Sequence, residues 1–214
     1  MQSQENIDWH QDIFDVLECQ GIDLIAHVPD AGHAPLIRKC DARNDMDVVT
    51  LTTEEEGVGL LCGAWAGGRK GVLLMQSSGV GNCINALALP VICRVPFLSI
   101  ISMRGEWGEF IPWQVPMGRG TPKVLEAMEV SVFRADVKEK VGETVKAAGQ
   151  FAFNTRRSAA VLLSQEMLGA KQFKEGCVHV SAKSPGRIPL GASAYEYGGG
   201  VQPGQPHLGR GIGW

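Results

Sequence analysis

Short apolar runs alternate with amphipathic segments along most of the chain. The apolar runs are rich in branched residues and end at turn formers such as Pro29 and Asp30, which indicates buried strands. Between them, apolar residues recur three or four positions apart, as at Ile13, Val16 and Leu17, which indicates helices. We predict strands over residues 22–28, 47–51, 71–76, 97–101, 130–134 and 159–164, and helices over residues 5–19, 34–40, 54–67, 82–93, 122–129 and 137–153.

This alternation also predicts how the strands connect. Parallel neighbours need a crossover of about a dozen residues, and the predicted helices supply it. Strands that are apolar along nearly their whole length indicate a sheet covered on both faces. We therefore predict an α/β fold: a doubly wound, mostly parallel six-stranded sheet with helices on both faces.

Local signals refine the boundaries. Thr121-Pro122 predicts a helix start with proline at the first helical position, and Asp136 with Glu139 has capping-box spacing. Residues 102–120 are predicted to form a long loop, which in a compact domain is more often functional than idle. Because the chain becomes rich in glycine and proline after about Lys174, we predict one domain over residues 1–175 and a disordered or linker tail over 176–214.

Charge and cysteine content exclude several classes of protein. A net charge of −3 offers no basic field for nucleic acid or an anionic membrane. The six cysteines include no CxxC pair and several lie in apolar runs, so we expect buried free thiols in a reducing compartment. No apolar run reaches the ~18 residues of a membrane helix and no signal peptide is evident, so the predicted location is the cytoplasm.

Three adjacent carboxylates, Glu54, Glu55 and Glu56, open the third predicted helix directly after a strand. In open α/β folds this edge of the sheet binds ligands. Helix capping is the better explanation of the triplet alone, since Thr53 and Glu56 have capping-box spacing and acidic residues suit the first turn of a helix. The triplet alone therefore does not predict catalysis.

Two glycine-containing segments follow. Residues 57–68 are rich in glycine and alanine, which favours close packing either against the protein's own sheet or against another chain. Gly79-Val80-Gly81 then forms a strand-to-helix turn that matches a dinucleotide fingerprint only in part, because position 84 is Ile. A nucleotide-binding module is thus one alternative, although no acidic residue ends the next strand near residue 101.

The order and spacing of several segments resemble the pyrimidine-binding domain of thiamine-diphosphate-dependent decarboxylases, most closely the sulfopyruvate and phosphonopyruvate decarboxylase group. The likeness spans about residues 10–170. The segments that carry it are Val28-Pro29-Asp30, Glu54-Glu55-Glu56-Gly57-Val58-Gly59, Met75-Gln76-Ser77-Ser78-Gly79-Val80-Gly81-Asn82, Asn85-Ala86-Leu87, Arg104-Gly105-Glu106 and Gln114-Val115-Pro116-Met117-Gly118-Arg119.

The resemblance implies thiamine diphosphate as the cofactor and Glu55 as the carboxylate that activates it, because Glu55 precedes the aromatic Trp65 by ten positions. A carboxyl group in that role hydrogen-bonds a ring nitrogen of the aminopyrimidine. Glu54 and Glu56 are then helix-start residues. The implied cofactor-binding residues are Glu55, Ser78, Gly79, Val80 and Gly81.

The resemblance also implies a partner. Family members hold the diphosphate and Mg²⁺ with a second domain that carries a G-D-G segment, and this chain has none. We therefore expect a separate beta subunit to supply that half of a hetero-oligomeric enzyme, and we expect no metal ligands in this chain.

The implied reaction is the decarboxylation of 3-sulfopyruvate to sulfoacetaldehyde and carbon dioxide. Such an anionic substrate favours cationic or hydrogen-bonding groups near the sheet edge. The candidate substrate-binding residues are Asp30, His33, Arg104, Gln114 and Arg119. Phosphonopyruvate or another 2-oxo acid is an alternative substrate, and a noncatalytic scaffold subunit is an alternative role.

Overall fold

The computed structural model describes residues 7–169, and they form a three-layer α/β fold. Six strands make one sheet in the order β2-β1-β3-β4-β6-β5, and every neighbouring pair is parallel. This confirms the predicted doubly wound six-stranded architecture. The strands are β1 (Leu24–His27), β2 (Asp47–Thr50), β3 (Gly71–Gln76), β4 (Phe97–Ser102), β5 (Ser131–Ala135) and β6 (Ser158–Leu163).

Helices connect the strands and cover both faces of the sheet. On one face the core contains Ile13, Leu17 and Val145; on the other it contains Leu61, Val80 and Leu125. Burying side chains of this size stabilises the fold by roughly 1.5–3 kcal/mol each. The helices are α1 (Trp9–Cys19), α2 (Ala34–Asp41), α3 (Glu54–Ala66), α4 (Ser77–Cys83), α5 (Ala88–Cys93), α6 (Gln114–Ala127), α7 (Val141–Thr155) and α8 (Gln165–Leu168), with a 3₁₀ turn at Lys138–Lys140.

The helix predicted over residues 82–93 is instead two short helices. The first, α4, begins at Ser77 directly after β3, and the second, α5, begins at Ala88. Pro90 lies in the first turn of α5, where its missing N–H costs no helical hydrogen bond. The prediction was wrong about the start because Gly79 and Gly81 lower helix propensity, whereas packing places them in a helix.

The predicted helix start at Thr121-Pro122 is also wrong, because α6 begins at Gln114 and contains Pro122 in its interior. The Thr121 hydroxyl does not cap a helix; it donates to the carbonyl oxygens of Met117 at 2.7 Å and Ser77 at 3.2 Å. Gly118 lies against the backbone of Arg104, where a Cβ would clash. Tertiary packing thus overrides the local signals, and the predicted loop over residues 102–120 ends at residue 113.

Neither predicted capping box forms as expected. Thr53 makes no side-chain cap, and the Glu56 carboxylate instead accepts from the backbone N–H of Thr52 at 2.9 Å. The Asp136 carboxylate accepts from the Nε–H of Arg134 at 2.8 Å. In the first case the competing donor lies one helical turn earlier, and in the second it lies two residues earlier. Each carboxylate therefore accepts from a donor other than the one that the capping box requires.

Residues 7–169 contain five free cysteines, and no helix among them has the length and apolar character that crossing a membrane would require. The predicted tail over residues 176–214 lies outside the described residues. The domain boundary near residue 175 therefore stays a prediction.

Candidate active site

The connections of the sheet reverse direction between β1 and β3. From β1 the chain passes to β2 on one side, and it returns to β3 on the other side of β1. A crevice opens at the carboxyl ends of strands at such a switch point, and ligands of open α/β proteins bind there. The segment after β1 and the ends of β3 and β4 meet at this edge and bring polar side chains together.

Asp30 lies at the centre of this polar cluster. Its Oδ2 accepts from the Ser102 hydroxyl at 2.6 Å, and its Oδ1 accepts from the Gln76 side-chain amide at 3.3 Å. The Ser78 hydroxyl donates to the Gln76 Oε1 at 2.9 Å. Gly32 makes the cluster possible, since a Cβ there would lie 2.9 Å from the Asp30 carboxylate. The sequence predicted Asp30 here but missed Gln76 and Ser102.

His33, also predicted, is fully buried beside this cluster, with its Nε2 3.3 Å from the carbonyl oxygen of Met75. Burial lowers the pKa of His33 because it penalises the cation, and attraction to Asp30 only partly opposes this. Burial raises the pKa of Asp30, but attraction to His33 and the hydrogen bond from Ser102 outweigh it, so the net shift is downward. At neutral pH the pair is an ionised carboxylate beside a neutral imidazole.

The three carboxylates at the start of α3 have different environments. The Glu54 side chain is buried, and its Oε2 accepts from the Asn82 side-chain amide at 2.8 Å. A Cβ on Gly79 would clash with the Glu54 carboxylate, so α3 and α4 approach closely only because residue 79 is glycine. Glu55 and Glu56 are both exposed. The sequence assigned Glu54 a helix-start role and did not single out Asn82.

The other predicted cofactor-binding residues lie on α4. Val80 is fully buried in the core, and Gly81 faces Met117 of α6 with room for a Cβ at 3.4 Å. The small residues of α3 also divide into two groups. Gly57 packs against Leu73 of the protein's own sheet, whereas a Cβ on Gly59 or Gly63 would meet nothing within 4 Å.

Arg104 forms a buried ion pair that the sequence did not predict. Its Nε and Nη2 each donate to the Glu109 carboxylate at 2.7 Å. The carboxylate also accepts from the N–H groups of Gly105 and Ile111 and from the Gln165 amide. The hydrogen bond from Arg104, opposed by burial, lowers the pKa of Glu109 to about 2. The Arg104 guanidinium is therefore committed to ordering the loop.

The remaining two predicted substrate residues lie on α6. Gln114 is its first residue and is half-buried, and Arg119 is exposed one turn later. Within residues 7–169, no hydrogen bond joins either side chain to the cluster around Asp30. The same part of the chain contains no group of three or more His, Cys, Asp or Glu side chains placed to hold a metal ion.

A cavity of about 360 Å³ adjoins the polar cluster and is lined by Asp30, Ser102 and Arg104 among others. A larger cleft of about 750 Å³ lies at the opposite, amino-terminal ends of β5 and β6, where exposed arginines such as Arg94 and Arg156 follow helix C-termini. Cations suit helix C-termini without any ligand. We therefore place the candidate site at the carboxyl edge of the sheet.

Comparisons with known proteins bear on the fold and the family. No family model matches the chain. Over 73% of this chain and 30% of the other, the fold superposes with a TM-score of 0.58 and 17% identity on an enzyme from Mycobacterium smegmatis that is assigned as thiamin diphosphate-dependent. At this identity the likeness shows the fold alone, and the chain spans under a third of that enzyme.

Sequence comparison gives closer relatives. A phosphonopyruvate decarboxylase of Streptomyces viridochromogenes is 34% identical over 112 residues, which cover 51% of this chain and 28% of that protein. Sulfopyruvate decarboxylase subunit alpha of Methanococcus maripaludis is 38% identical over 144 residues, which cover 67% of this chain and 86% of that subunit. Because this second match runs through most of both chains, the chain belongs to the family of sulfopyruvate decarboxylase alpha subunits.

Proposed function

We propose that the chain is the alpha subunit of a thiamine-diphosphate-dependent decarboxylase that converts 3-sulfopyruvate to sulfoacetaldehyde and carbon dioxide. Membership of the family supports the reaction. The observation that supports the proposal at the level of residues is the acidic triplet at the start of α3, where Glu54 is buried and accepts from Asn82 while Glu55 is exposed at the carboxyl edge of the sheet. Among residues 7–169 no cation pairs with Glu54 or Glu55.

The activating role goes to one carboxylate of the triplet. Glu55 was predicted for it from the spacing to Trp65, and that prediction stays open to test. Glu55 is exposed in the single chain, so its carboxyl group is free to reach a cofactor bound between two subunits. Glu54 is the weaker candidate, because its Oε2 accepts from Asn82 and its Oε1 is packed against Gly79.

These residues fit the cofactor in chemistry. A carboxyl group on Glu55 would hold a proton at a pyrimidine ring nitrogen, and Gly79 lets α3 and α4 approach each other closely beside it. Ser78, Val80 and Gly81 form the segment beside it. Thiamine diphosphate, when bound, supplies the electron sink for decarboxylation. Since the sequence has no G-D-G segment, we assign the diphosphate and Mg²⁺ to a beta subunit.

The substrate would enter beside Asp30. Because the pKa of Asp30 is lowered, its ionised carboxylate repels a sulfonate, so we assign it to orienting Gln76 and Ser102 rather than to direct contact with the anion. His33, buried and attracted electrostatically to Asp30, is the candidate from this chain for a proton relay. Arg119, exposed on α6, is the remaining predicted cationic candidate from this chain.

The test is co-expression with the chain that carries the G-D-G segment, followed by assay of carbon dioxide release from sulfopyruvate with thiamine diphosphate and Mg²⁺. Paired variants assign the carboxylate. Glu55→Gln should lower kcat by about 10²–10⁴-fold, the usual contribution of a positioned acid or base, while the complex still assembles. If Glu54→Gln has this effect and Glu55→Gln does not, the role passes to Glu54.

Phosphonopyruvate is the second candidate substrate, because a phosphonopyruvate decarboxylase matches half of this chain. The same assay with both acids decides between a sulfonate and a phosphonate by the ratio of kcat/KM. Carbon dioxide release from neither acid, with an assembled complex, would favour a scaffold role.

A further inference from the structure

We infer that a separate binding site lies at the amino-terminal edge of the sheet and takes an organic phosphate, such as a sugar phosphate or a mononucleotide. The site is the cleft of about 750 Å³ at the amino-terminal ends of β5 and β6. We call it the arginine cleft, because Arg94, Arg156 and Arg157 line it. The inference does not depend on the proposed function, since the candidate active site lies at the opposite edge of the sheet.

The three guanidinium groups of the arginine cleft are free to bind an anion. All three arginines are exposed, and within residues 7–169 none of them makes an ion pair or a side-chain hydrogen bond. By contrast, Arg43 and Arg69 each pair with two carboxylates. Guanidinium groups bind phosphate through paired N–H donors. The cleft therefore has the donors that a phosphate group requires.

Ser158 adds a buried hydroxyl without a partner. It is the first residue of β6, is 2% exposed, and its Oγ has no hydrogen-bond partner within residues 7–169. Side chains alternate along a strand, so Ser158 points to the same face of the sheet as Ala160, and Val130 beside the cleft packs on that face. A change of the χ1 rotamer would turn the hydroxyl toward a ligand. Because buried hydroxyl groups nearly always have a partner, a ligand oxygen in the cleft would supply the missing one.

The helix dipole accounts for only part of this arrangement. Arg94 and Arg156 are the C-caps of α5 and α7, where a cation is favoured without a ligand. Both have a left-handed backbone, with φ of 52° and 55°, and so does Glu129 of the same cleft, with φ of 59°. They are the only non-glycine residues of 7–169 with such a φ. Glycine fits these caps without strain, so the charged side chains are retained at a cost, as is typical of binding sites.

The rest of the lining fits the body of an organic phosphate. Val91, Val130 and Val132 provide an apolar wall, and Glu126 and Glu129 are exposed beside it. Carboxylates accept hydrogen bonds from hydroxyl groups and repel a second anionic group. The volume lies within the range of about 300–1,000 Å³ that is typical of small-molecule sites. The cleft therefore suits one phosphate group joined to a hydroxyl-bearing body.

Isothermal titration of the full chain tests the inference with four probes: ribose 5-phosphate, adenosine 5′-monophosphate, inorganic phosphate and adenosine. At least one of the two esters should bind saturably at one site per chain, and the tighter ester tells a sugar phosphate from a nucleotide. Inorganic phosphate should bind at least about 10-fold more weakly than that ester, because it leaves most of the cleft empty. No saturable binding of either ester, or equal binding of adenosine and its monophosphate, would overturn the inference.

Variants assign the binding to the arginine cleft. Arg156→Gln/Arg157→Gln should weaken binding of the tighter ester about 10–100-fold, because charge-assisted hydrogen bonds are lost. Arg38→Gln is the matched control, since Arg38 is also exposed but lines a different cavity, and its dissociation constant should equal that of the wild type. An unchanged dissociation constant in the double variant, or the same loss in Arg38→Gln, would overturn the inference.

Ser158→Ala separates a role in binding from a role in the fold. Without ligand the hydroxyl has no partner, so its removal should not lower Tm. The same change should weaken binding of the ester about 10-fold, because one hydrogen bond to a charged group is lost. A lower Tm with an unchanged dissociation constant would overturn the assignment of Ser158 to the site.

Discussion

Two regions of the molecule each hold a buried glutamate with a side-chain donor, and they do so differently. At the start of α3, Glu54 accepts from the neutral amide of Asn82. In the loop after β4, the Glu109 carboxylate accepts hydrogen bonds from the guanidinium of Arg104, from two backbone N–H groups and from the Gln165 amide. Both carboxylates are largely removed from water, but only the second has a countercharge.

The difference separates a carboxylate with a full set of partners from one with a single donor. Glu109 has every requirement of a structural ion: a bidentate cation, further donors and a lowered pKa. Glu54 is held by one neutral donor and by close contact with Gly79.

Adding a positive charge beside Glu54 should remove the difference between the two regions. Of the expected effects, this one on activity is the largest. In Asn82→Lys an ammonium would lie beside the acidic triplet and compete with the cofactor for its carboxylates. We expect kcat of the two-subunit enzyme to fall about 10²–10⁴-fold. Steady-state assay of carbon dioxide release measures it.

Asn85→Lys is the control for this prediction, since it adds the same charge three residues away. It should retain activity within a few-fold. If Asn82→Lys were as active as Asn85→Lys, the absence of a countercharge at the triplet would not be required for activity.

Removing the cation that pairs with Glu109 should reduce the stability of the fold rather than the rate of the reaction. Arg104→Met leaves the Glu109 carboxylate buried without its cation, and breaking a buried pair in this way costs about 3–5 kcal/mol of unfolding free energy. Denaturant titration measures the loss. The double variant Arg104→Met/Glu109→Leu should recover much of it, because no buried charge remains.

Arg134→Met is the matched control, because Arg134 also pairs through two nitrogens with a glutamate, Glu106, but is 38% exposed. Water and side-chain entropy reduce the value of such a pair to about 0–1 kcal/mol. An equal loss from Arg104→Met and Arg134→Met would remove the distinction based on burial.

The sheet could be predicted from the sequence because each strand is a separate apolar run. All six were placed within about two residues, and β3 has the predicted limits. The helices beside glycines could not be placed as well. The start of α6 was missed because Gly118 and Pro122 disfavour a helix locally, whereas contact with the backbone of Arg104 requires a glycine at that turn. Such contacts join residues distant in sequence.

The sequence predicted that polar residues meet at the carboxyl edge of the sheet, where the structure brings Asp30, Gln76 and Ser102 together, but it did not predict their pairings. Strand ends and the resemblance both pointed to Asp30 and the acidic triplet. Which member of the triplet is buried depends on the angle at which α3 meets α4, and no spacing within the triplet encodes that angle. Arg104 was predicted as a substrate ligand from its charge, whereas its guanidinium pairs with Glu109, five residues on. Asn85 and Asn82 are indistinguishable until the helices are packed.

The smallest expected effect is a pH dependence that belongs to Glu109 alone. Its pKa in the fold, about 2, lies below the ordinary 4.5. A depressed pKa contributes stability that is fully present above pH 4.5 and is lost as the pH falls through 4.5 toward 2. Glu109→Gln lacks this contribution, so the difference in Tm between wild type and variant should be greatest near neutral pH and should shrink with acidification. The exposed acid Glu126 offers a control, and Glu126→Gln should follow the wild-type curve throughout. A constant Tm difference between wild type and Glu109→Gln from pH 7 to pH 3 would mean that Arg104 stabilises the loop by packing rather than by charge, and the contrast with Glu54 would then lose its electrostatic basis.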